Sequence, residues 1–148
     1  MNGNIVLLLK KLNLALEQCG REHMKRLDIS PSQGLALSYL FSREGYVTYS
    51  TQLHKQFGIS KPAISSTLKG LKKKGYLEMV VNEEDDRKKQ IVLTPKAYAI
   101  KKQIDLGLSQ QQTRLCQGIS QQRLKLLEKD LTTMLCNMNR ETTRRDES

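Results

Sequence analysis

The chain has 148 residues, 38% of them hydrophobic, which allows one domain with a real core and excludes two full ones. Aromatic residues make up 5% and Trp is absent, a composition that suits a mostly helical protein built on Leu. The formal net charge of +10 points to a polyanionic partner, chiefly nucleic acid or an anionic surface, while the lack of any run of about 18 apolar residues argues against a bilayer span.

Near the N-terminus, MNGNIVLLLKKLNLALEQ has its charges after the apolar run and no small-residue cleavage site, so it is not expected to be a signal peptide. Ile5, Leu8, Leu9, Leu12, Ala15, Leu16 and Cys19 instead form a stripe at helical spacing. A helix with such a stripe must cover its own domain or a second subunit. Gly20 is expected to weaken it locally, and it runs through His23, Met24 and Leu27 to a turn at Asp28. Cys19, Cys116 and Cys136 are odd in number and widely spaced, with no CxxC pair, so no disulfide framework is expected and the cytosol is the default compartment.

Ser30-Pro31-Ser32-Gln33 is a helix start: Ser as N-cap, Pro at the first helical position, and Gln placed to close a capping box. This helix carries Leu35, Leu37, Tyr39 and Leu40 and stops near Arg43-Glu44-Gly45. Thr48 is expected to cap the next short helix, with Leu53 and Phe57 as its core positions. Gly58-Ile59 makes a turn and Ser60 begins another helix, so two short helices meet across a Gly-containing turn in the helix-turn-helix pattern.

In that second helix Ile64, Leu68 and Leu71 share an inward face. Pro62, Ser66, Lys69 and Lys73 fall opposite, beside Ser65, and the outward face contains no acid, which suits entry into a DNA groove. Gly75 is the expected left-handed cap. Two β-prone arms follow, Tyr76 to Val81 and Gln90 to Thr94, around the polar tip NEEDDRKK. A basic tip on such a ribbon can reach a minor groove or the backbone.

Thr94-Pro95 is expected to cap one helix running through Ala97, Ala99, Ile100, Ile104, Leu106 and Leu108 to Cys116. Gly118-Ile119-Ser120 breaks it, and Ser120 caps a last helix bearing Leu124, Leu127, Leu131, Met134, Leu135 and Met138. The expected architecture is mainly α with a small β-hairpin wing. It divides into a winged helix-turn-helix core at 30–94, dimerisation helices at 4–28 and 95–139, and a flexible polar tail at 140–148.

Other chemistries fit poorly. The run Glu83-Glu84-Asp85-Asp86 reads as a solvated tip before it reads as a metal site, and His23 and His54 lack zinc-ligand spacing, so neither metal nor cofactor is expected. Met24, Met79, Met134 and Met138 read as gap-filling core residues and Cys19 as a packing residue. No Gly-rich phosphate loop, G-x-S-x-G or HExxH is present, so the chain does not read as an enzyme. The alternative to a DNA-binding protein is a winged-helix protein-interaction module whose charge is incidental.

LDISPSQGLALSYL, FGISKPAISSTLKGLKKKGYL, Asp85-Asp86-Arg87 followed by IVLT, and ISQQRLKLLEKDLTTML occur in the order and spacing of the MarR family (multiple antibiotic resistance regulators), which the chain resembles over nearly its whole length. The resemblance implies a winged-helix homodimer that binds a pseudo-palindromic operator in double-stranded DNA, usually as a repressor. Release by a small phenolic, lipophilic or oxidising effector is also implied. It assigns groove-facing positions to Lys61, Pro62, Ser65, Ser66 and Lys69, the minor-groove Arg to Arg87, and the acid that orients it to Asp85. Lys88 and Lys89 are expected phosphate contacts by charge alone. His54 departs from the pattern, standing where a small residue usually packs the two helices of the motif. The outward helix face also lacks Arg, Asn and Gln, so two-point reading of guanine or adenine from it is largely missing. Contacts from Pro62 and Ala63 to thymine methyls are expected instead. The effector cleft is expected between the terminal helices and the helix-turn-helix, with a lining that sequence alone does not assign.

Overall fold

A computed structural model of the chain describes residues 3–82 and 84–146, and at 82, 85–88 and 140–146 it describes backbone alone. The element order is α1 (Ile5–Met24), a 3-10 turn (Lys25–Leu27), α2 (Pro31–Ser42), β1 (Thr48–Tyr49), α3 (Ser50–Phe57) and α4 (Lys61–Lys73). Then come β2 (Leu77–Asn82), β3 (Asp85–Leu93), α5 (Pro95–Ala99), α6 (Lys101–Cys116) and α7 (Gln121–Asp146). Two compact units result, Met1–Gln111 and Gln112–Ser148. Among the described residues, no helix is long and apolar enough to cross a membrane.

The core lies in the first unit, where α2 contributes Ala36, Leu37, Leu40 and Phe41, α3 Leu53, and α4 Ile64, Leu68 and Leu71. Leu77 of β2, Ile91 of β3, Ala97 of α5, Ile104 of α6 and Met24 of α1 join them, so one cluster draws on every helix and both long strands of the unit. Tyr39 and Phe57, at its margin, meet edge to face with ring centroids 5.8 Å apart, a favoured aromatic geometry. Met24 and Met79 fill gaps in or against this core as expected, whereas Met138 is exposed on α7.

The helix starts follow local chemistry. At α2 the Ser30 Oγ accepts from the Gln33 N–H at 3.2 Å and Gln33 Oε1 accepts from the Ser30 N–H at 3.1 Å, a complete capping box. Asp28 ends the 3-10 turn in the left-handed conformation at φ 52°. At α7 the Ser120 Oγ accepts from the Arg123 N–H, and Gly118 supplies the positive φ between α6 and α7.

Several expectations are corrected. Thr48 does not cap α3: it is a buried strand residue, paired with Ile91, and its Oγ1 accepts from Arg43 Nε at 3.3 Å. The start of α3 is held instead by Gln52 Oε1, which accepts from the Tyr49 N–H at 2.7 Å. The sheet therefore has three antiparallel strands in the order β1-β3-β2, with β3 central. Its second long strand begins at Asp85 and not at Gln90, so much of the polar run expected at the tip lies in a strand, with a register irregularity at Val81/Asn82. Thr94 does not cap through its side chain, and the single helix expected after it is broken at Ile100 into α5 and α6. Gly20 does not weaken α1, which runs unbroken. A Cβ there would lie 3.1 Å from the Pro31 ring, so Gly20 permits the close approach of α1 and α2.

Leu53→Ala removes a fully buried side chain at the point where α3 meets the core. It is expected to cost about 2–5 kcal/mol of unfolding free energy, read from urea titrations at fixed protein concentration with an unchanged m-value.

Candidate nucleic-acid interface

The sequence of α4 sorts its residues onto two faces. Ser60 Oγ accepts from the Ala63 N–H at 3.3 Å and Pro62 occupies the first turn, where an amide proton would have no intrahelical partner. Ile64, Leu68 and Leu71 are buried, whereas Lys61, Pro62, Ala63, Ser65, Ser66, Lys69, Lys72 and Lys73 are exposed. Five of the sequence-derived site residues, Lys61, Pro62, Ser65, Ser66 and Lys69, are thus gathered on one exposed face. No residue of α4 is acidic, and the positive end of the helix dipole adds to Lys61 at its N-terminus.

Two local devices hold that helix. At its entry, Gly58 takes φ 64° and donates its N–H to the His54 carbonyl at 3.1 Å, while His54 Nδ1 donates to the Ile59 carbonyl. The carbonyl can only accept, so Nδ1 carries the proton here. The unusual His54 is therefore a clasp on the turn between α3 and α4. At its exit, the Gly75 N–H bonds the Lys72 carbonyl and the Tyr76 N–H bonds the Leu71 carbonyl, with Gly75 at φ 83°, which is a Schellman motif.

Lys74, the last of three consecutive lysines, differs from its neighbours. Its Nζ donates to Gln33 Oε1 at 3.0 Å and to the Asp28 carbonyl, both far away in sequence. Sequence reasoning missed this residue, because a lysine run gives no sign of which member turns inward.

On the ribbon, Lys89 is exposed and pairs with Val81. Asp85, Arg87 and Lys88 belong to the backbone of β3, but their side chains lie outside the described residues, as does Glu83 entirely.

Within the first unit, a cleft of 420 Å³ opens beneath α4. Leu16, Gly20 and Met24 of α1, Leu35 and Ala36 of α2, and Ile64 and Thr67 of α4 are among its walls. Leu35, expected as a helix hydrophobe, is exposed to this space and not packed into the core. Gln111 at the rim donates from Nε2 to the Leu16 carbonyl at 2.8 Å, tying α6 to α1. Glu17 is the sole charged group among the lining residues, and Arg21 Nη2 stands 3.9 Å from its carboxylate. All three cysteines are free thiols. Cys19 is half-buried, its Sγ 3.5 Å from His23 Nδ1, and that nitrogen lies 2.8 Å from the Cys19 carbonyl.

Comparison with known proteins agrees with this geometry. Residues 27–88 match the sequence model of the MarR family. The fold is similar to that of MepR from S. aureus, crystallised as a DNA complex, with TM-score 0.84 and 20% identity over 92% of this chain and 99% of that one. MarR from Oenococcus oeni PSU-1 superposes with TM-score 0.78 at 23% identity, over 89% of this chain and 98% of its own. A putative MarR family transcriptional regulator from Listeria monocytogenes, complexed with 26mer DNA, gives TM-score 0.81 at 18% identity, over 92% and 89%. At these identities the structural likenesses establish the fold.

His54→Ala removes the side-chain bond to Ile59 and keeps the Gly58 bond. It is expected to lower stability by about 1 kcal/mol, measured by chemical denaturation. An unchanged midpoint would show that the clasp contributes nothing.

Proposed function

We propose, from the match of residues 27–88 to the MarR family model, that the chain is a homodimeric regulator of transcription of that family, acting by binding DNA and not by catalysis. The observation that carries this reading is the exposed, acid-free face of α4. Lys61, Pro62, Ser65, Ser66 and Lys69 enter the major groove, and the β2–β3 ribbon lies along the neighbouring backbone. Arg87, oriented by Asp85, enters the minor groove, with Lys88 and Lys89 on phosphates. With no Arg, Asn or Gln on the helix face, operator choice rests on thymine methyl contacts by Pro62 and Ala63 and on A·T-rich shape. Binding at an operator of this kind represses.

Dimerisation is supported by apolar surface that one chain leaves uncovered. Ile5, Leu8, Leu9 and Leu12 are exposed along α1, with Leu8 at 66%, and Leu127, Leu131, Leu135 and Met138 are exposed along α7, with Leu135 at 62%. Both sets recur at helical spacing, and stripes of this length mark an interface. A second copy would cover them and present two copies of α4 about 34–36 Å apart, one turn of DNA. The cleft beneath α4 suits a small, largely apolar effector that releases the operator.

The test begins with a duplex obtained by in vitro selection, compared with a scrambled one by fluorescence anisotropy across a salt series. Tighter binding to the selected site at one dimer per duplex, falling steeply with salt, is expected. Weak and equal binding to both would transfer the fold to a protein-interaction role. Lys89→Ala is expected to reduce the log–log salt slope by roughly 0.9 for each subunit. Arg87→Ala should weaken binding to all sequences and flatten the slope in the same way, whereas Ser66→Ala should change preference at one base pair of each half-site. Equal, preference-neutral losses for Arg87→Ala and Ser66→Ala would contradict the separate roles.

Leu131→Glu places a charge on the exposed stripe of α7. Sedimentation velocity is expected to find it monomeric at concentrations where the unsubstituted protein is dimeric, with its helical circular dichroism preserved. A variant that still dimerises would remove α7 from the interface.

A further inference from the structure

We propose that Lys74 is a positioning residue that fixes the recognition helix α4 against the entry of α2, and not a phosphate-binding lysine. The inference rests on the DNA-binding reading for its consequence, but the contacts that carry it lie within the first unit of the fold.

Lys72, Lys73 and Lys74 are adjacent, and by charge alone all three would be assigned to DNA. The first two are exposed, and Lys74 is half-buried. Its ammonium donates to the carbonyl of Asp28 and, at 3.0 Å, to Oε1 of Gln33. Both acceptors are neutral, so each bond is charge-assisted without an ion pair, and two of the three ammonium protons are committed to the protein.

The acceptors are themselves fixed. Asp28 sits in the left-handed turn after α1, at φ 52°. Gln33 Oε1 also accepts the Ser30 N–H of the capping box, at 3.1 Å, so one oxygen serves both the start of α2 and the end of α4. Gln33 then lies across α4 one turn before Lys74. A Cβ added at Gly70 would stand 2.5 Å from Gln33 Nε2 and 3.7 Å from its Cδ. Gly70 therefore leaves the space in which Gln33 reaches Lys74.

The effect on function follows from where the knot sits. His54 clasps the turn that enters α4, and Lys74 ties the end that leaves it. A helix tied at both ends presents Lys61 through Lys69 in one direction, and a shift of about 1 Å is enough to degrade a contact set of this kind. Losing Lys74 should thus harm discrimination between sequences while leaving the count of phosphate contacts intact.

The experiment uses the full-length chain with Lys74→Gln, Lys74→Arg and Gly70→Ala. Anisotropy with the selected and scrambled duplexes is measured across a salt series, and amide hydrogen exchange is measured without DNA. Lys74→Gln is expected to reduce the selected-to-scrambled affinity ratio about tenfold, with the salt slope unchanged and faster exchange in the last turn of α4 and at Ser30–Gln33. Lys74→Arg, which keeps a cationic donor, should restore most of that ratio.

Gly70→Ala is the more pointed variant. Helix propensity alone would stabilise α4, so a loss of discrimination and faster exchange there can only come from displacing Gln33. A Lys74→Gln slope lower by roughly 0.9 per subunit, with the ratio intact, would instead make Lys74 a phosphate contact and overturn the proposal. Unchanged exchange in both Lys74→Gln and Gly70→Ala would overturn it as well. If the unsubstituted protein shows no preference for the selected duplex, the DNA-binding reading fails. The exchange data then still decide whether the knot holds α4.

Discussion

The turn from Lys74 to Tyr76 is the point on which the rest of the first unit depends. Gly75 at φ 83° lets the chain reverse out of α4, and no residue with a Cβ adopts that angle cheaply. Around it, the Thr94 Oγ1 donates to the Gly75 carbonyl at 2.6 Å, and the Thr94 N–H donates to the Tyr76 carbonyl at 3.1 Å. Lys96 donates to the Lys74 carbonyl and holds its ammonium 4.7 Å from the centre of the Tyr76 ring, within cation–π range. The end of α4, the end of β3 and the start of α5 are therefore joined at one place. With its O–H turned to the Gly75 carbonyl, Thr94 makes no side-chain cap at the start of α5.

This arrangement answers a conflict within α4. A helix used for recognition must leave its long polar face to solvent, so it has only the narrow stripe of Ile64, Leu68 and Leu71 with which to be held. Burial of three aliphatic side chains contributes several kcal/mol, but apolar contact is non-directional and does not by itself fix the rotation or slide of a helix. Direction comes from hydrogen bonds. The clasp of His54 at one end and the acceptors of Lys74 at the other supply it.

Much of this was legible in sequence, and the limits have physical reasons. Ser30 with Gln33, Ser60 with Pro62, Gly58, Gly75 and Ser120 are local signals, each acting within about four residues, and each marks the boundary it was expected to mark. The α4 face was legible because helical periodicity is local too. What failed was non-local. Thr48 reads as a cap because its hydroxyl suits one, but pairing with Ile91 across the sheet claims its backbone. The break at Ile100 has no Gly or Pro to announce it. Gly20 looks like a weak point until Pro31 is found packed against it. Lys74 and the cleft walls belong to the same class, since their partners are remote in sequence. The wing side chains Asp85, Arg87 and Lys88 rest on the family resemblance, being outside the described residues.

The cleft and the knot together constrain how an effector could act. Ile64 and Thr67 of α4 form one wall of the cleft, and Leu16, Gly20 and Met24 of α1 form another. The segment that follows the α1 wall runs through Asp28 into α2, and Lys74 at the end of α4 bonds to Asp28 within it and to Gln33 at the start of α2. A ligand can shift an equilibrium only by the difference in its affinity for the two states, so it must prefer a cleft of altered width. Widening the cleft would separate Ile64 and Thr67 from α1, and both ties oppose it: the His54 bond to the Ile59 carbonyl at the entry of α4 and the Lys74 bonds at its exit. On the proposed reading, an effector that reorients the exposed start of α4 must therefore offset the loss of at least the entry tie, while Leu68 and Leu71 keep the rest of the helix packed in the core.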